Sequence, residues 1–254
     1  MVTQTFEPDK KIAFIVKSIL VFEADTTSET VLSFFADGYP GMMYQQTENG
    51  MLVRPQHKSM PVLFIYGQTI KPVELIMQGS YKLIAFQLYP FVLKSFFNIQ
   101  AETLNDDCYD VCEAKDGDKI INALVNKNHI QKQIEIITKY LYDLFEEKKS
   151  ALDLTVRKAI QIILDNGGQV LVKDLFEKLH VTERTFERRF LNEVGILPKQ
   201  FCQVVQFQQS LEQLRSKEYS RLTDIVYNNG YADQSHFIRV FKAYTGITPK
   251  KFDL

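Results

Sequence analysis

The stretch Phe186–Phe201, FERRFLNEVGILPKQF, returns 51 residues later as Phe237–Phe252, FIRVFKAYTGITPKKF. Eight residues are identical at the same spacing in the two copies. Asp174-Leu175 and Asp224-Ile225 extend the match upstream at an offset of 50, so one residue was gained in between. Two copies are too few for a solenoid, and they indicate a duplicated helical unit within one domain.

Each copy predicts an amphipathic helix whose apolar side is buried. Phe186 and Phe190 lie four residues apart, so they share one helix face, and Val194 continues that face. Arg188 lies about 200° around the helix from each Phe and therefore points outward. Arg239 takes the same outward position in the second copy. The inward face of that copy consists of Phe237, Val240, Phe241 and Tyr244.

Each of these helices follows a shorter helix across a tight turn. The turn contains His180-Val181 in the first copy and Gly230-Tyr231 in the second. A glycine adopts positive φ freely, whereas His180 would be strained there. Two helices joined in this way, the second apolar inside and polar outside, form the helix-turn-helix pattern. In that motif the second helix enters the major groove of DNA, where Arg, Gln and Glu side chains read base edges.

The register of the two arginines decides between a DNA-binding motif and a simple pair of helices. Many helical hairpins satisfy one helix-turn-helix pattern, and an outward Arg is often only a solvated residue. A duplication kept for packing would preserve Phe, Ile, Pro and the helix-capping Gly195 and Gly246. It need not preserve Arg188 and Arg239. We therefore interpret the two arginines as residues that read bases.

The second copy lies in a longer run, NGYADQSHFIRVFK from Asn229 to Lys242, followed by Gly246-Ile247-Thr248-Pro249. With this run, residues 155–254 resemble the DNA-binding domain of AraC/XylS-type transcription activators. The resemblance implies seven helices, with two helix-turn-helix units held apart by the long helix Lys199–Lys217. It also implies that both recognition helices enter successive major grooves on one side of the DNA. The DNA-binding residues that it implies are Arg184, Thr185, Glu187 and Arg188 in the first unit, and Gln234, Ser235 and Arg239 in the second.

The chain departs from this family pattern at several positions. Phe176 and Val226 stand where the family usually has Ala, and His180 stands where it usually has Gly. Gln206 and Asp253 stand where Arg is common. The larger residues predict slightly shifted helix packing, and the loss of two positive positions predicts weaker phosphate contacts, which dominate affinity. We expect the second unit to bind its bases more tightly than the first.

The first hundred residues predict β-structure. Short runs rich in branched and aromatic residues alternate with Gly, Asn and Asp turns. We predict strands at Ile12–Phe22, Val31–Phe35, Met42–Gln45, Val62–Tyr66, Val73–Met77 and Leu83–Leu88. Six short strands at this spacing are typical of a sandwich or barrel. Phe91–Asn98, which follows Pro90, predicts a short helix, and the acidic residues 101–118 predict a loop.

Three motifs of this region carry a second resemblance: Asp37-Gly38, Gly67-Gln68 and Phe86-Gln87-Leu88-Tyr89-Pro90. They resemble a poorly characterised β-rich domain that precedes some AraC-type DNA-binding domains. The resemblance implies a sensing or dimerising role, with a cupin-like barrel as one form. The strands also carry six aromatic side chains that could line a pocket or fill a core, and we favour the core. They are Phe14, Phe34, Phe35, Phe64, Tyr66 and Phe86.

From residue 119 the hydrophobic period becomes helical. An apolar stripe consists of Ile130, Ile134, Ile137, Leu141, Leu144 and Phe145. The stripe could pack on its own domain or form a dimer interface, and both interpretations stay open. The charged run 146–150 predicts a domain boundary. Beyond it we predict helices at Thr155–Asn166, Val172–Leu179, Thr182–Val194, Lys199–Lys217, Leu222–Asn228 and Asp233–Tyr244.

The composition argues against several classes of enzyme and metal protein. Three cysteines are too few for a disulfide framework in 254 residues. His57 is the only histidine before His129, so the clustered histidines of a metal-dependent cupin are missing. The sequence has no phosphate loop, nucleophile elbow or HExxH motif. We predict a protein that is not an enzyme and needs no metal and no cofactor.

Together these observations predict an α+β protein of two domains. Residues 1–118 would form a β-rich sensor or dimerisation domain with flanking helices, 119–150 a helical linker, and 151–254 an all-α domain of seven helices with two helix-turn-helix motifs. The net charge is −4 over 1–150 and +3 over 151–254, which suits a C-terminal half that faces nucleic acid.

The predicted function is that of a transcription regulator in the cytoplasm. It would form a homodimer, bind double-stranded promoter DNA, respond to a small-molecule effector and contact RNA polymerase but no membrane. The run Ile12–Phe22 is too short to span a bilayer, and Lys17 interrupts it. Two alternatives stay open: an N-terminal domain that only dimerises, and a ligand-binding or enzymatic β-barrel whose helical tail binds other proteins.

Overall fold

The computed structural model describes residues 4–114, 116–148 and 152–252. Its N-terminal half contains two antiparallel sheets. The strands are β1 (Gln4–Phe6), β2 (Val16–Ala24), β3 (Glu29–Phe34), β4 (Gly41–Thr47), β5 (Met51–Arg54), β6 (Lys58–Ser59), β7 (Leu63–Tyr66), β8 (Val73–Gln78), β9 (Tyr81–Leu88) and β10 (Cys108–Asp110). One sheet has the order β1-β2-β9-β4-β7-β10 and the other the order β3-β8-β5-β6. The predicted β-rich sandwich is confirmed.

The central strands β9, β4 and β7 of the six-stranded sheet are largely buried on both faces. On β9, Ala85 packs toward the other sheet, in a cluster that includes Leu32 and Leu75. The neighbouring Ile84 and Phe86 point the opposite way, into a larger core shared with helices. A strand covered on both faces reads as a continuous apolar run, because neither set of alternating side chains meets water. This explains why the sequence over β9 lacks the usual alternation of polar and apolar residues.

Two parts of the predicted strand pattern are wrong. The strand predicted from Ile12 begins only at Val16, because a turn precedes it in which the Val16 amide donates to the Ile12 carbonyl at 2.8 Å. The loop predicted for residues 101–118 contains β10, which pairs with β7, and two short 3-10 helices, Ala101–Leu104 and Val111–Glu113. The short helix predicted after Pro90 is present as a π-helical turn at Leu93–Phe97.

The remaining elements are helical. They are α1 (Gly117–Val125), α2 (Ile130–Lys148), α3 (Leu154–Asp165), α4 (Val172–Lys178), α5 (Glu183–Val194), α6 (Pro198–Ser216), α7 (Leu222–Asn228), α8 (Gln234–Thr245) and α9 (Pro249–Phe252). The seven helices from α3 to α9 are those that the family resemblance implies. None of the helices in the three described ranges has the length and apolar character needed to cross a bilayer.

The apolar stripe of α2 packs against its own chain. Ile134, Ile137 and Leu141 are buried, and the Phe145 ring contacts the Phe14 ring edge-on at 4.2 Å between centroids. The stripe therefore packs into a core that α2 shares with residues of the six-stranded sheet, which is the first of the two interpretations of the stripe. The predicted boundary at residue 150 lies outside the described residues.

One apolar core runs from the six-stranded sheet through the helices to α9. The same cluster of buried side chains contains Phe86 of β9, Ile137 of α2, Phe201 of α6 and Phe241 of α8. α6 is central to it, since nine of its residues are buried and Gln208 donates a hydrogen bond to the Ala36 carbonyl. The division at 118 and 150 into separate domains stays a prediction.

Candidate nucleic-acid interface

The two helix-turn-helix units close their turns in the same way. In the first, the Val181 amide donates to the Phe176 carbonyl at 3.1 Å; in the second, the Tyr231 amide donates to the Val226 carbonyl at 3.0 Å. The residue before each donor has positive φ, 54° at His180 and 70° at Gly230. The backbone therefore adopts the αL conformation in both turns, although only the second copy has glycine there. His180 is strained in this conformation, as we predict for a residue that bears a side chain.

Replacing His180 by glycine should stabilise the protein. The exposed imidazole contributes little packing, and glycine would relieve an αL penalty of about 1–2 kcal/mol for a side-chain-bearing residue. The greater flexibility of glycine in the unfolded chain offsets part of this gain, so we expect the free energy of unfolding in urea to rise by about 0.5–1 kcal/mol. Gly230→His is the matched reverse change and should destabilise. A loss of stability in His180→Gly would contradict this account of the turn.

The ends of the two recognition helices are capped. Thr182 Oγ1 accepts from the Thr185 amide at 3.4 Å before α5, and Asp233 Oδ1 accepts from the His236 amide at 2.7 Å before α8. Gly195 and Gly246 end the helices in the αL conformation, with φ of 84° and 79°. These caps fix where each helix begins and ends, and so fix which side chains face outward.

The inward faces of α5 and α8 repeat the same aromatic contacts. Each face is fully buried as predicted. Phe190 contacts Phe201 with ring centroids 5.7 Å apart, and the corresponding rings of Phe241 and Phe252 lie 5.5 Å apart. The repeated Phe residues therefore act in packing, because each pair ties a recognition helix to the helix that follows it.

The outward faces hold the predicted DNA-binding residues. Arg184 and Arg188 of α5 are exposed, as are Gln234, Ser235 and Arg239 of α8. Glu187 and Thr185 are half-buried, and the Thr185 hydroxyl accepts a hydrogen bond from Thr182 Oγ1 at 2.9 Å. The hydroxyl of Thr185 is thus partly engaged in the cap. Six of the seven predicted residues are left for contact with bases or phosphates, and their roles stay predictions.

The two recognition helices contact the N-terminal half differently. Behind α5, Ser95 Oγ donates to the Glu193 carboxylate at 3.1 Å and Asn105 Nδ2 donates to the Gly195 carbonyl at 2.7 Å. Burial raises the pKa of Glu193, and the Ser95 hydrogen bond lowers it in part. Behind α8 the contact is apolar, since the Phe252 ring lies 5.9 Å from that of Phe35. Each unit therefore has its own link to the N-terminal half.

A cavity of about 130 Å³ lies between the two sheets. Four of the six aromatic side chains that we assigned to the core line this cavity: Phe34, Phe35, Phe64 and Tyr66. All six aromatic side chains belong to the two apolar cores or pack against them, as predicted, and these four also form part of the cavity wall. On β9, Ala85 presents only a methyl group to this cavity. Within the described ranges, no group of three or more His, Cys, Asp or Glu residues could hold a metal ion.

The three motifs that resemble the β-rich domain meet at this cavity. Asp37, Gly67 and Gln87, one from each motif that resembles the β-rich domain, all line it. Asp37 Oδ2 accepts from Gln87 Nε2 at 2.8 Å, and its Oδ1 accepts from the Tyr39 amide at 3.0 Å. The three motifs are far apart in sequence, and their common place at the cavity wall follows only from the strand pairing.

The stability of the protein should fall as the pH rises from 3.8 to about 6, through Asp37. Burial raises the pKa of Asp37 from 3.8 to about 6, and hydrogen bonds from Tyr39 and Gln87 oppose this in part. Between these values the folded chain holds a proton that the unfolded chain has lost, so rising pH favours unfolding. Asp37→Asn should flatten this part of the curve of unfolding free energy against pH. An unchanged slope in Asp37→Asn would show that other groups cause it.

Two family models match separate parts of the chain. Residues 175–253 match the model of a helix-turn-helix domain, and residues 4–110 match that of a domain of unknown function. The chain matches no curated protein sequence.

Solved structures of ToxT from Vibrio cholerae are similar in fold. Wild-type ToxT with a bound unsaturated fatty acid is 14% identical with a TM-score of 0.50, over 94% of this chain and 96% of that one. ToxT in its P21 crystal form is 15% identical with a TM-score of 0.49, over 92% and 97%. At this identity the likeness to the fatty-acid-bound structure shows a shared fold alone. The two capped units and the matching domain model lead to one conclusion: residues 175–253 form a helix-turn-helix domain of the AraC type.

Proposed function

We propose that this protein is a sequence-specific transcription regulator whose binding to promoter DNA is controlled by a small molecule in the N-terminal cavity. The observation that carries the proposal is the duplicated recognition helix. Arg188 and Arg239 occupy the same outward position on α5 and α8, and both are exposed. Packing of the two units does not require an arginine at this position, whereas an outward arginine on a recognition helix can read a guanine edge through two hydrogen bonds.

The two units would act together on one face of the DNA. α6 joins them and is packed into the shared core, so the separation between α5 and α8 is fixed by the fold. Recognition helices that enter successive major grooves contact sites about one helical turn apart. We propose that Arg184, Glu187 and Arg188 read one such site and that Gln234, Ser235 and Arg239 read the next, with Thr185 at the edge of the first.

The cavity supports control by an effector. Ligand sites are concave, mostly apolar and carry a few polar groups, and the space between the sheets has this character. ToxT, which shares the fold, has been solved with an unsaturated fatty acid bound. Phe35 lines the cavity and also contacts Phe252 of the second unit, so an occupant that moves Phe35 would act on the position of α8. A ligand shifts the equilibrium only if it prefers one such arrangement.

The remaining parts of the proposal concern partners. A homodimer would double the number of recognition helices on an operator and so extend the sequence that it reads. Contact with RNA polymerase would convert binding into regulation, and a regulator of promoter DNA would act in the cytoplasm of a bacterium. We propose no catalytic activity.

Selection of bound duplexes from a random pool tests the function directly. The full chain should enrich sites with two conserved blocks centred about 10 base pairs apart. A duplex of the same composition in scrambled order is the control, and it should bind more weakly by a factor that persists as salt is raised, since phosphate contacts are lost first. Failure to enrich any block would reject sequence-specific binding. A single block would mean that only one unit reads bases.

A further inference from the structure

The cavity between the sheets has an apolar body of limited size. Leu20, Met43 and Ala85 of the six-stranded sheet face Phe34, Val53 and Leu75 of the four-stranded sheet across it. A cavity near 130 Å³ is of the order that holds a single aromatic ring, since an engineered apolar cavity of about 150 Å³ binds benzene. The occupant that fits is therefore a small compact molecule rather than a long chain.

The cavity carries an excess of acidic side chains. Asp37, Asp106 and Asp107 line it, against Lys58 as the one lysine or arginine among the lining residues. Lys58 Nζ is paired with Asp107 Oδ1 at 2.7 Å, so these two charges offset each other. Asp106 Oδ1 accepts from the amides of Ile70 and Lys71, at 2.7 and 3.1 Å. Two carboxylates thus remain without a lysine or arginine partner in the lining.

Asp37 is the carboxylate of the lining that best fits an ammonium group. It is desolvated, and its hydrogen bonds come from an amide side chain and a backbone amide rather than from a cation. Lys17 lies near enough to act on its charge, but the Lys17 ammonium sits over the Tyr39 ring at 4.1 Å and does not line the cavity. Tyr66, which also lines the cavity, has a pKa raised by burial and then by the charge of Asp37, so its hydroxyl stays protonated.

We propose that this cavity binds a small, ring-sized apolar molecule with a protonated amine as its head group, and that the amine is held by Asp37. The assignment rests on the proposed function only in taking the cavity as the effector site. An ammonium would donate a charged hydrogen bond to a carboxylate whose hydrogen bonds from Gln87 and Tyr39 come from neutral groups, and hydrogen bonds to charged groups are stronger than those between neutral ones. A carboxylate head on the same skeleton would bring a further negative charge into a cavity already lined by Asp37 and Asp106, and the like charges would repel it.

Three probes on one skeleton test the head group: 2-phenylethylamine, 2-phenylethanol and phenylacetate. Their binding to the full chain would be measured near neutral pH by isothermal titration calorimetry. We expect the amine to bind at least about tenfold more tightly than the alcohol, the ratio that a charge-assisted hydrogen bond of about 1.5 kcal/mol gives, and phenylacetate to bind more weakly than both. Phenylacetate that binds as tightly as the amine would overturn the assignment, as would the absence of binding by all three probes.

Two variants locate the site. Asp37→Asn should remove the preference for the amine and keep the affinity for the alcohol, which also shows that the variant is folded. Ala85→Phe should fill the cavity and abolish binding of both. An amine affinity unchanged in Asp37→Asn would refute the role of Asp37.

Operator binding, measured on the same samples, separates this inference from the proposed function. If the amine binds but leaves operator affinity unchanged, the result would support the site and reject the amine as an effector. Operator binding without binding of any probe would support the regulator and reject the assigned ligand class.

Discussion

Replacing both Arg188 and Arg239 by alanine should remove most of the preference of this protein for its selected operator over scrambled DNA. Each outward arginine that contacts a base edge contributes about 1–3 kcal/mol of discrimination. The two residues lie on separate recognition helices, so their effects should add to about 2–6 kcal/mol. This corresponds to a loss of about 30-fold to 10⁴-fold in relative affinity, which fluorescence anisotropy with the two duplexes would measure.

Arg189 provides a control on the same helix. It is adjacent to Arg188 but faces Asp153, with 3.8 Å between Nε and Oδ2, so Arg189→Ala should keep the ratio of the two affinities. The single variants then compare the two units. Arg239→Ala should lower the preference for operator DNA more than Arg188→Ala does if the second unit binds its bases more tightly. Equal weakening on operator and scrambled DNA would show that the arginines contact phosphates instead of bases.

Gly195→Ala should destabilise the protein far more than the same change at Gly246. Both glycines end a recognition helix with nearly the same positive φ, so both variants carry an αL penalty of about 1–2 kcal/mol. A methyl group on Gly246 would make an ordinary van der Waals contact with Pro72 Cγ at 3.8 Å, whereas one on Gly195 would lie 2.6 Å from the Ala101 carbonyl carbon. That overlap should lower the free energy of unfolding by a further amount of about 1–3 kcal/mol. Urea denaturation should therefore show a total loss of roughly 2–5 kcal/mol for Gly195→Ala.

The pair of variants tests the contact between the first unit and the N-terminal half. The helix-ending conformation is the same in both copies. The difference in unfolding free energy between Gly195→Ala and Gly246→Ala therefore measures the close approach of Gly195 to the Ala101–Leu104 helix. Equal losses of stability would mean that this segment moves aside freely and does not hold α5. In that case the hydrogen bond from Asn105 to the Gly195 carbonyl would be a weak link.

The helical half could be predicted in detail because its signals are local. Glycine in the αL conformation, a Thr cap and a buried Phe pair each act within a few residues, and the duplication tests every assignment twice. The start of β2 shows the limit of this reasoning. Ile12 and Ile15 are apolar and buried like strand residues, yet they lie in a turn, since burial alone does not specify backbone conformation.

The cavity could not be predicted from composition. Phe34 and Phe64 have the same residue type and alternation as core residues, and whether they fill a gap or line it depends on the partners opposite. Those partners, Ala85 of one sheet and Leu75 of the other, are brought together by strand order, which the sequence pattern does not specify. The strand Cys108–Asp110 could not be predicted for a similar reason, because so short a strand is stabilised by pairing with β7 rather than by its own propensity.

The continuous core from Phe86 to Phe241 also has a thermodynamic consequence. A chain whose halves share buried side chains should melt in one cooperative transition rather than two. Anything that binds only the folded form then protects the whole molecule. Operator DNA on α5 and α8 should slow proteolysis of the sandwich, and a molecule between the sheets should slow proteolysis of the recognition helices. By linkage, if a molecule between the sheets changes the free energy of operator binding, operator DNA must change the binding free energy of that molecule by the same amount.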